Sequence, residues 1–237
     1  MIAITGDSEW APAYAIEDAM ALLDEYGVPG TFFTTGVWSE DGTTLEHDGI
    51  DFSRTDHERG LHPNFLQSKD EAAVLDEITD LFPDASGTRS HCLYTNTPLQ
   101  MTHREYGIRY QSNYLLHGEP NVEPLRLGNW TVELPIYWED DVWMRTGTEP
   151  PDPSALLDRP GLKVFNFHPP YVFLNVPDED RLSRWGEQFG NGPDAARAAR
   201  YEGYGDRDLL VDLLEEVEAS SETVRTLGDV AAEFLDR

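Results

Sequence analysis

The chain begins with the stretch Ile2-Ala3-Ile4-Thr5-Gly6-Asp7-Ser8-Glu9-Trp10, in which a short apolar run gives way at once to polar residues. The run is β-branched and only a few residues long, so it favours a buried strand over a helix. Successive strand side chains point to opposite faces, and we therefore expect Asp7 and Glu9 to point the same way. Two carboxylates held together are costly unless a cation or a proton lies between them. Alternatively, Glu9 simply opens the following helix, because acidic residues favour the positive end of a helix dipole.

Strand and helix patterns alternate through the rest of the chain. Apolar residues recur at helical spacing over 12–26, and Ser68 with Glu71 forms a capping box for a helix that runs to about Phe82. The remaining strands are expected at 30–35, 58–62, 88–93, 108–114, 162–168 and 223–226. The remaining helices are expected at 97–107, 178–189, 193–202, 206–219 and from 227 onward. This alternation predicts an α/β fold with a mostly parallel sheet.

The middle of the chain breaks this rhythm. The segment from Leu125 to Tyr137 is typical of a β-hairpin that turns at Gly128-Asn129, and 150–153 is interpreted as a linker within one domain. A chain of 237 residues can bury a substantial core. We therefore predict a single domain over residues 1–237, a distorted (β/α) barrel with an inserted β-hairpin.

The charge balance is strongly acidic, with 45 Asp and Glu residues against 17 Lys and Arg residues and a formal net charge of −28. Such a field repels nucleic acid and anionic membranes, both of which require a basic footprint. Self-repulsion of this size is associated with halophilic proteins, whose acidic surfaces stay hydrated in concentrated salt. Most of these carboxylates are therefore expected to be solvated surface groups. The sequence does not indicate an oligomeric state.

Two further features bear on where the protein works. No apolar run approaches the length that a membrane span needs, and Met1 leads directly into the first strand, leaving no room for a signal peptide. The single cysteine, Cys92, cannot form an internal disulfide and suits a reducing compartment. These features predict a cytoplasmic protein that does not bind membranes.

Pairs of polar residues recur at the ends of the predicted interior strands. Each pair has the spacing i, i+2, and the pairs are Asp7 with Glu9, His62 with Asn64, Arg89 with His91, and Asn166 with His168. In a parallel barrel the carboxyl ends of the strands form the rim where active sites lie. Carboxylates and imidazoles together suit a divalent cation such as zinc, with a position left open for water. A base beside that water would complete a hydrolytic site.

Each of these residues also has a structural interpretation. His62 could cap its strand before Pro63, His91 could be a satisfied core histidine, and Arg89 could form an ordinary ion pair with Asp7. For His62 and His168 we favour the functional interpretation, because a histidine at a strand end is well placed to bind a metal or donate a proton. The other histidines are expected to be structural, and they are His47, His57, His103 and His117.

The stretch Trp138-Glu139-Asp140-Asp141-Val142-Trp143 follows the hairpin. An acidic run between tryptophans could hydrogen-bond to and stack on a sugar ring, mainly through Trp138 and Asp140. In a protein this acidic, the same run could also be a solvated turn.

Several segments together resemble the polysaccharide deacetylases over nearly the whole chain. They are D-S-E after the first strand, Y-G-V-P-G-T-F-F-T-T-G at 26–36, H-E-R-G-L-H-P-N-F at 57–65, R-S-H at 89–91, F-H-P at 167–169 and T-L-G-D-V-A-A-E-F at 226–234. The resemblance implies a distorted (β/α) barrel of about seven strands. It also implies metal-dependent hydrolysis of an N- or O-acyl group on a carbohydrate.

The resemblance assigns roles residue by residue. The family motif T-F-D-D-G corresponds to T-G-D-S-E here, so Asp7 matches the general base, while Ser8 stands at a ligand position that Glu9 would have to replace. In the motif H-x-x-x-H, His62 is kept and Leu66 takes the second histidine's place, so His91 or Asn64 would supply that ligand. Arg89 matches the arginine that supports the base, and His168 matches the late histidine that acts as the acid.

We therefore expect a deacetylase-like hydrolase in which Glu9, His62 and His91 hold a divalent metal, most simply zinc. Asp7 would act as base beside Arg89, and His168 as acid. Its substrate would be an acylated sugar, with contacts from four further residues at the strand ends and after the hairpin: Asn64, Trp138, Asp140 and Asn166. Two alternatives stay open: a hydrolase of small non-sugar amides on the same scaffold, and a catalytically silent barrel that binds a glycan.

Overall fold

The computed structural model describes residues 1–9, 11–39, 44–67, 70–147 and 149–236. Its strands are β1 (Ile2–Asp7), β2 (Gly30–Thr34), β3 (Val37–Trp38), β4 (Leu45–Glu46), β5 (Glu58–Leu61), β6 (Gly87–Thr88), β7 (Tyr110–Gln111), β8 (Leu125–Arg126), β9 (Val132–Glu133), β10 (Trp138–Glu139) and β11 (Lys163–Phe167). Its α-helices are α1 (Ala13–Glu25), α2 (Glu71–Leu81), α3 (Thr97–His103), α4 (Asp140–Thr146), α5 (Pro153–Leu157), α6 (Pro169–Leu174), α7 (Glu179–Leu182), α8 (Pro193–Ala198), α9 (Asp206–Ala219) and α10 (Leu227–Leu235). Short 3₁₀ turns lie at Phe52–Arg54, His91–Leu93 and Trp185–Asn191.

The main sheet curls around its own core. Its strand order is β10-β11-β1-β2-β5-β6-β7-β9-β8, and every pairing is parallel except that of β8 with β9. The continuous segment 132–139 pairs with β7 at its start and with β11 at its end. Between them, Ile136 N donates to Tyr114 O and Tyr137 N to Val164 O, both at 2.8 Å. The prediction of a distorted (β/α) barrel is therefore confirmed, although the described sheet has nine strands where the resemblance implied about seven.

Helix α1 shows how sequence pattern becomes packing. Its apolar residues all lie on the buried face, in contact with the core that the central strands share: Ala15, Ile16, Ala19, Met20, Leu22 and Leu23. The helix ends before Gly27, whose φ of +63° is a conformation that favours glycine. A stripe repeating at helical spacing is thus buried as one surface.

The hairpin prediction is confirmed, since Leu125 on β8 pairs antiparallel with Glu133 on β9. Other local predictions were wrong. The strand expected over 88–93 stops at Thr88, because Cys92 and Leu93 take left-handed φ values of 54° and 52°. The strand at 223–226 reduces to a bridge between Ile2 and Val224. The linker prediction holds, because residues 150–152 are irregular and α5 begins at Pro153. Ser68 of the expected capping box lies outside the described residues, and the side chain of Asp70 caps α2.

No helix in the described ranges combines the length and the apolar character needed to span a bilayer.

Glu133 should make stability depend on pH. Burial raises the pKa of Glu133 to about 7, although Gln111 Nε2 and the amides of Asn113 and Tyr114 donate hydrogen bonds to it. Between its unfolded value, about 4.3, and pH 7, the folded protein holds more protons than the unfolded chain. This contribution to the free energy of unfolding is complete below that window. It is lost as pH rises through the whole window, by about 3–4 kcal/mol.

The measurement is denaturant unfolding at pH 5 and pH 8 in fixed high salt, for the wild type and for Glu133→Gln. The wild type should lose more stability than the variant over this interval, because the variant carries no proton to release there. Parallel losses in the two proteins would contradict the assignment to Glu133.

Candidate active site at the strand ends

Asp7 ends β1 and lies buried at the centre of the polar cluster. Its Oδ1 accepts a hydrogen bond from Arg89 Nη1 at 3.0 Å, and its Oδ2 accepts one from Asn166 Nδ2 at 3.0 Å. Both carboxylate oxygens are therefore held in place by hydrogen bonds from buried side chains. The side chain is oriented before any substrate arrives.

Arg89 is fully buried and held along its whole guanidinium group. Its Nε donates to Ser112 O at 3.0 Å, its Nη2 to Ser112 Oγ at 2.8 Å, and its Nη1 to Thr5 Oγ1 at 2.9 Å. The guanidinium also lies 4.5 Å from the ring centroid of Phe33. With so many fixed partners, Arg89 presents a stationary positive charge to Asp7.

Asn166 joins the acidic groups to each other. Its Nδ2 donates to Asp7 Oδ2 at 3.0 Å and to Glu139 Oε1 at 2.9 Å, while its Oδ1 accepts from Arg89 Nη1 at 2.5 Å and from Thr5 Oγ1 at 3.0 Å. The residue is fully buried and its amide is saturated. This placement favours a role in orienting Asp7 over the substrate contact expected from the sequence.

Glu9 lies where two histidines meet. Its carboxylate is 3.4 Å from His62 Nε2 and 3.1 Å from His91 Nδ1. It does not reach this position by strand alternation, because β1 ends at Asp7 and Glu9 has a left-handed φ of 48°. Burial alone would raise the pKa of Glu9, but hydrogen bonds from both histidines hold that pKa well below its ordinary value. Glu9 is thus an anion facing two imidazoles.

These three side chains fit a divalent cation. One ligand atom from each of Glu9, His62 and His91 lies within 4.8 Å of the others. The buried Nδ1 of His62 has no hydrogen-bond partner in the described ranges and lies 3.9 Å from Asp7 Oδ1. Two imidazoles and one carboxylate form a ligand set that zinc takes, with a position open for water. The donor chemistry therefore matches the expected metal.

A second group, made of Asp7, Glu139 and His168, also has one ligand atom from each residue within 4.8 Å of the others. Its carboxylate oxygens already accept hydrogen bonds from Arg89 and Asn166, and His168 is bound to another carboxylate. Burial raises the pKa of Glu139 to about 7. This group is therefore a poorer cation site than the first.

His168 follows β11 and is hydrogen-bonded to Asp140, the first residue of α4. Asp140 Oδ2 accepts from the His168 backbone N at 2.6 Å, and Asp140 Oδ1 lies 2.6 Å from His168 Nδ1. Burial alone would lower the pKa of His168, but the Asp140 carboxylate outweighs it and raises that pKa well above the ordinary value. The ring's other nitrogen, Nε2, lies 3.9 Å from Glu9 Oε1 and so points toward the cation site.

Two residues expected to contact a sugar are placed elsewhere. Asp140 is fully buried behind His168, so it orients that ring and is not the solvated turn or sugar ligand that the sequence suggested. Trp138 is 2% exposed and packs on Phe167, with ring centroids 5.3 Å apart. As part of β10 in the core, Trp138 offers no face to a ligand.

Three residues near the proposed ligands in sequence are Ser8, Asn64 and Leu66. Ser8, at the position of the family's ligand aspartate, accepts a hydrogen bond from Thr35 N at 3.2 Å and so ties β1 to β2. Asn64 Oδ1 accepts from Leu66 N at 3.0 Å, which holds the turn after β5. Leu66 itself is 59% exposed and does not plug the site. The role of Asn64 as a substrate ligand stays a prediction.

The histidines assigned structural roles lie away from this cluster. His57 Nδ1 accepts from Gly30 N at 2.9 Å, and its Nε2 lies 3.2 Å from Asp24. Buried His103 contacts Gln111. The sequence missed Glu139 and Asp206, two buried acids behind the site. Nothing in the local sequence separates them from the many acids on the surface.

Comparisons with known proteins provide independent evidence on the family of this chain. Residues 4–185 match the family model of WbmS-like polysaccharide deacetylases. A structure from Bordetella bronchiseptica, described as a proposed polysaccharide deacetylase involved in O-antigen biosynthesis, is 26% identical, with a TM-score of 0.79 over 91% of this chain and 90% of that one. A proposed polysaccharide deacetylase from Mycobacterium smegmatis is 19% identical, with a TM-score of 0.59 over 98% of this chain and 88% of that one, and it shows a shared fold alone. No curated protein matches significantly.

Proposed function

Because the chain belongs to the WbmS-like polysaccharide deacetylases, we propose that it is a metal-dependent hydrolase that removes an acyl group, most simply acetyl, from a carbohydrate. One observation carries the proposal. A fixed carboxylate, a ligand set for a cation and a histidine held by a buried carboxylate lie side by side, with Asp7 to His62 and Glu9 to His168 each at 3.9 Å. Strand ends far apart in sequence supply these groups.

Glu9, His62 and His91 would hold the metal. A divalent cation bound there supplies positive charge that polarises an acyl carbonyl and makes a nearby water more acidic. Zinc is our choice of metal, because its usual ligands are imidazole and carboxylate.

Asp7 is the proposed base. Its carboxylate would take the proton from the attacking water, and its two hydrogen bonds, from Arg89 and Asn166, keep it aimed while it does so. Arg89 would then offset the charge that remains near the base, and it needs no movement because all its nitrogens are already anchored.

His168 is the proposed acid. Its Nδ1 is tied to Asp140, so Nε2 is the nitrogen that faces the site and would donate a proton to the departing amine or alcohol. The raised pKa of His168 keeps this proton in place near neutral pH. An imidazole held in one orientation by a carboxylate is a common acid catalyst.

A saccharide is the proposed substrate class. The relative from Bordetella bronchiseptica is described as acting in O-antigen biosynthesis. A cleft of about 210 Å³ also adjoins the site, and it is lined by His62, Asn64 and Trp38, whose side chain is 42% exposed. A sugar ring can stack on such an exposed indole. The exposed free thiol of Cys92 favours a reducing, cytoplasmic setting and therefore an intracellular sugar intermediate.

The test is acetate release from N-acetylated and O-acetylated saccharides and from simple non-sugar amides, in molar salt with added Zn²⁺. We expect acetate from at least one saccharide, loss of activity with a chelator and recovery with metal. Faster cleavage of non-sugar amides would assign the protein to another class of amide hydrolase. Glycan binding without acetate release would identify a catalytically silent barrel.

A further inference from the structure

Asp206 is a fully buried acid that the mechanism above leaves unused. It is the first residue of α9, and its backbone N donates to Val176 O at 3.0 Å. Neither of its carboxylate oxygens receives a hydrogen bond from any donor among the described residues. A buried carboxylate without a donor is costly if it is ionised.

The neighbour of Asp206 is Asp140, the carboxylate that holds His168. Asp140 is also fully buried, but it accepts hydrogen bonds from three donors: the His168 backbone N, His168 Nδ1 and the Asp141 backbone N. Two carboxylates in contact within a dry site cannot both be ionised. The charge therefore stays on Asp140, where the donors are, and the proton stays on Asp206.

The start of α9 opposes this arrangement only weakly. A helix N-terminus favours an ionised acid, but by less than the cost of burying an unpaired charge beside another carboxylate. Consistent with this, burial and the contact with Asp140 raise the pKa of Asp206 well above its ordinary value.

We propose that Asp206 is a positioning residue, a neutral carboxylic acid that donates a hydrogen bond to Asp140 and so fixes the carboxylate that orients His168. The acid role of His168 belongs to the proposed function, on which this inference rests. The hydrogen bond from Asp206 to Asp140 follows from the burial of both acids and from the lack of other donors to Asp206 among the described residues. It can therefore be tested whether or not the catalytic role is correct.

Hydrogen bonds between Asn175 and the first turn of α9 fix the position of Asp206 beside Asp140. Asn175 Oδ1 accepts from Arg207 N at 3.0 Å, and Asn175 Nδ2 donates to Asp208 Oδ2 at 2.8 Å. A side chain at Gly205 would approach Asn175 O to 2.3 Å, so the close contact there requires glycine. The first turn of α9 is thus locked to the segment after α6, and Asp206 is locked with it.

Three variants separate positioning from stability. Asp206→Asn keeps a neutral side chain of the same size with an N–H that can donate to Asp140, whereas Asp206→Leu keeps the bulk and removes the donor. Asp208→Ala is the control, because it loosens the same helix start by removing the acceptor of Gly205 N without touching Asp140. All three are compared in kcat, KM, bound metal and Tm.

We expect Asp206→Leu to lower kcat about 10- to 100-fold, the usual cost of losing an orienting partner, with KM and bound metal unchanged. Asp206→Asn should recover most of that loss, and Asp208→Ala should lower Tm while kcat stays near the wild-type value. Equal losses in the Asn and Leu variants, or no loss in either, would overturn the proposal.

An infrared measurement needs no substrate. The difference spectrum of the wild type minus Asp206→Asn at neutral pH should contain the carbonyl band of a protonated carboxylic acid. Its absence would overturn the proposal, even if Asp206→Leu fails to fold. Its presence in a protein without hydrolytic activity would support the hydrogen bond while the proposed function fails.

Discussion

Replacing Asp7 with asparagine should lower kcat/KM by about 10³- to 10⁴-fold, at the upper end of what a general base contributes. Asparagine matches the carboxylate in size but cannot take a proton from water. Its amide also places a donor opposite either Arg89 or Asn166, both of which donate to Asp7 in the native structure. The variant should therefore lose some stability as well as activity, and the two losses must be measured separately.

Glu58→Gln provides the matched control for this loss of stability. Glu58 is the first residue of β5, at the amino ends of the strands and away from the candidate site. Its carboxylate accepts hydrogen bonds from Gly228 N at 2.8 Å, Tyr110 OH at 2.8 Å and Thr31 Oγ1 at 2.9 Å. Its amide variant should lower Tm while kcat/KM stays within a few-fold of the wild type. If Asp7→Asn kept more than a tenth of the wild-type kcat/KM below its Tm, Asp7 would not be the base.

Replacing His62 with alanine should remove the bound metal. The wild-type protein, purified in high salt and dialysed against zinc, is expected to retain one equivalent by elemental analysis. Loss of a group that merely supports a ligand weakens metal binding about 10- to 100-fold, so loss of His62 itself should weaken it by at least about 100-fold. Its Nε2 faces Glu9 at 3.4 Å, and it is one of the two imidazoles in the ligand set.

Ser8→Ala is the matched control for the metal site. Ser8 stands where the family carries a ligand aspartate, but its hydroxyl serves Thr35 N and not the cluster. We expect Ser8→Ala to keep its metal equivalent and to lose only some stability. Metal loss from Ser8→Ala equal to that from His62→Ala, or full metal retention in His62→Ala, would rule out the ligand set of Glu9, His62 and His91.

Much of the fold was predictable because its signals are local. The apolar run before Asp7, the helical stripe of α1 and the turn at Gly128-Asn129 each act within a few residues. Local signals failed where the backbone departs from regular geometry. Cys92 and Leu93 end the strand after Thr88 in a left-handed turn, and short segments such as β10 and α5 carry too few residues for a recognisable period.

The candidate site was predictable only in part, for a related reason. The pairs at the strand ends placed Asp7, His62, Arg89 and His168 near one rim, because parallel strands end on the same side of a sheet. Glu9 also joins this rim, although through a left-handed turn and not through the alternation first expected.

The sequence alone therefore determined the longer strands and helices and most of the polar residues at the strand ends, since both follow from patterns within a few residues of chain. Only the tertiary structure showed which acids support the site from behind it. Among 45 Asp and Glu residues, Asp206 has no distinguishing sequence signal and Asp140 was expected in a sugar contact or a solvated turn, yet packing buries both completely behind His168. Burial and the number of nearby hydrogen-bond donors determine whether a carboxylate is ionised, and both depend on segments far apart in the chain.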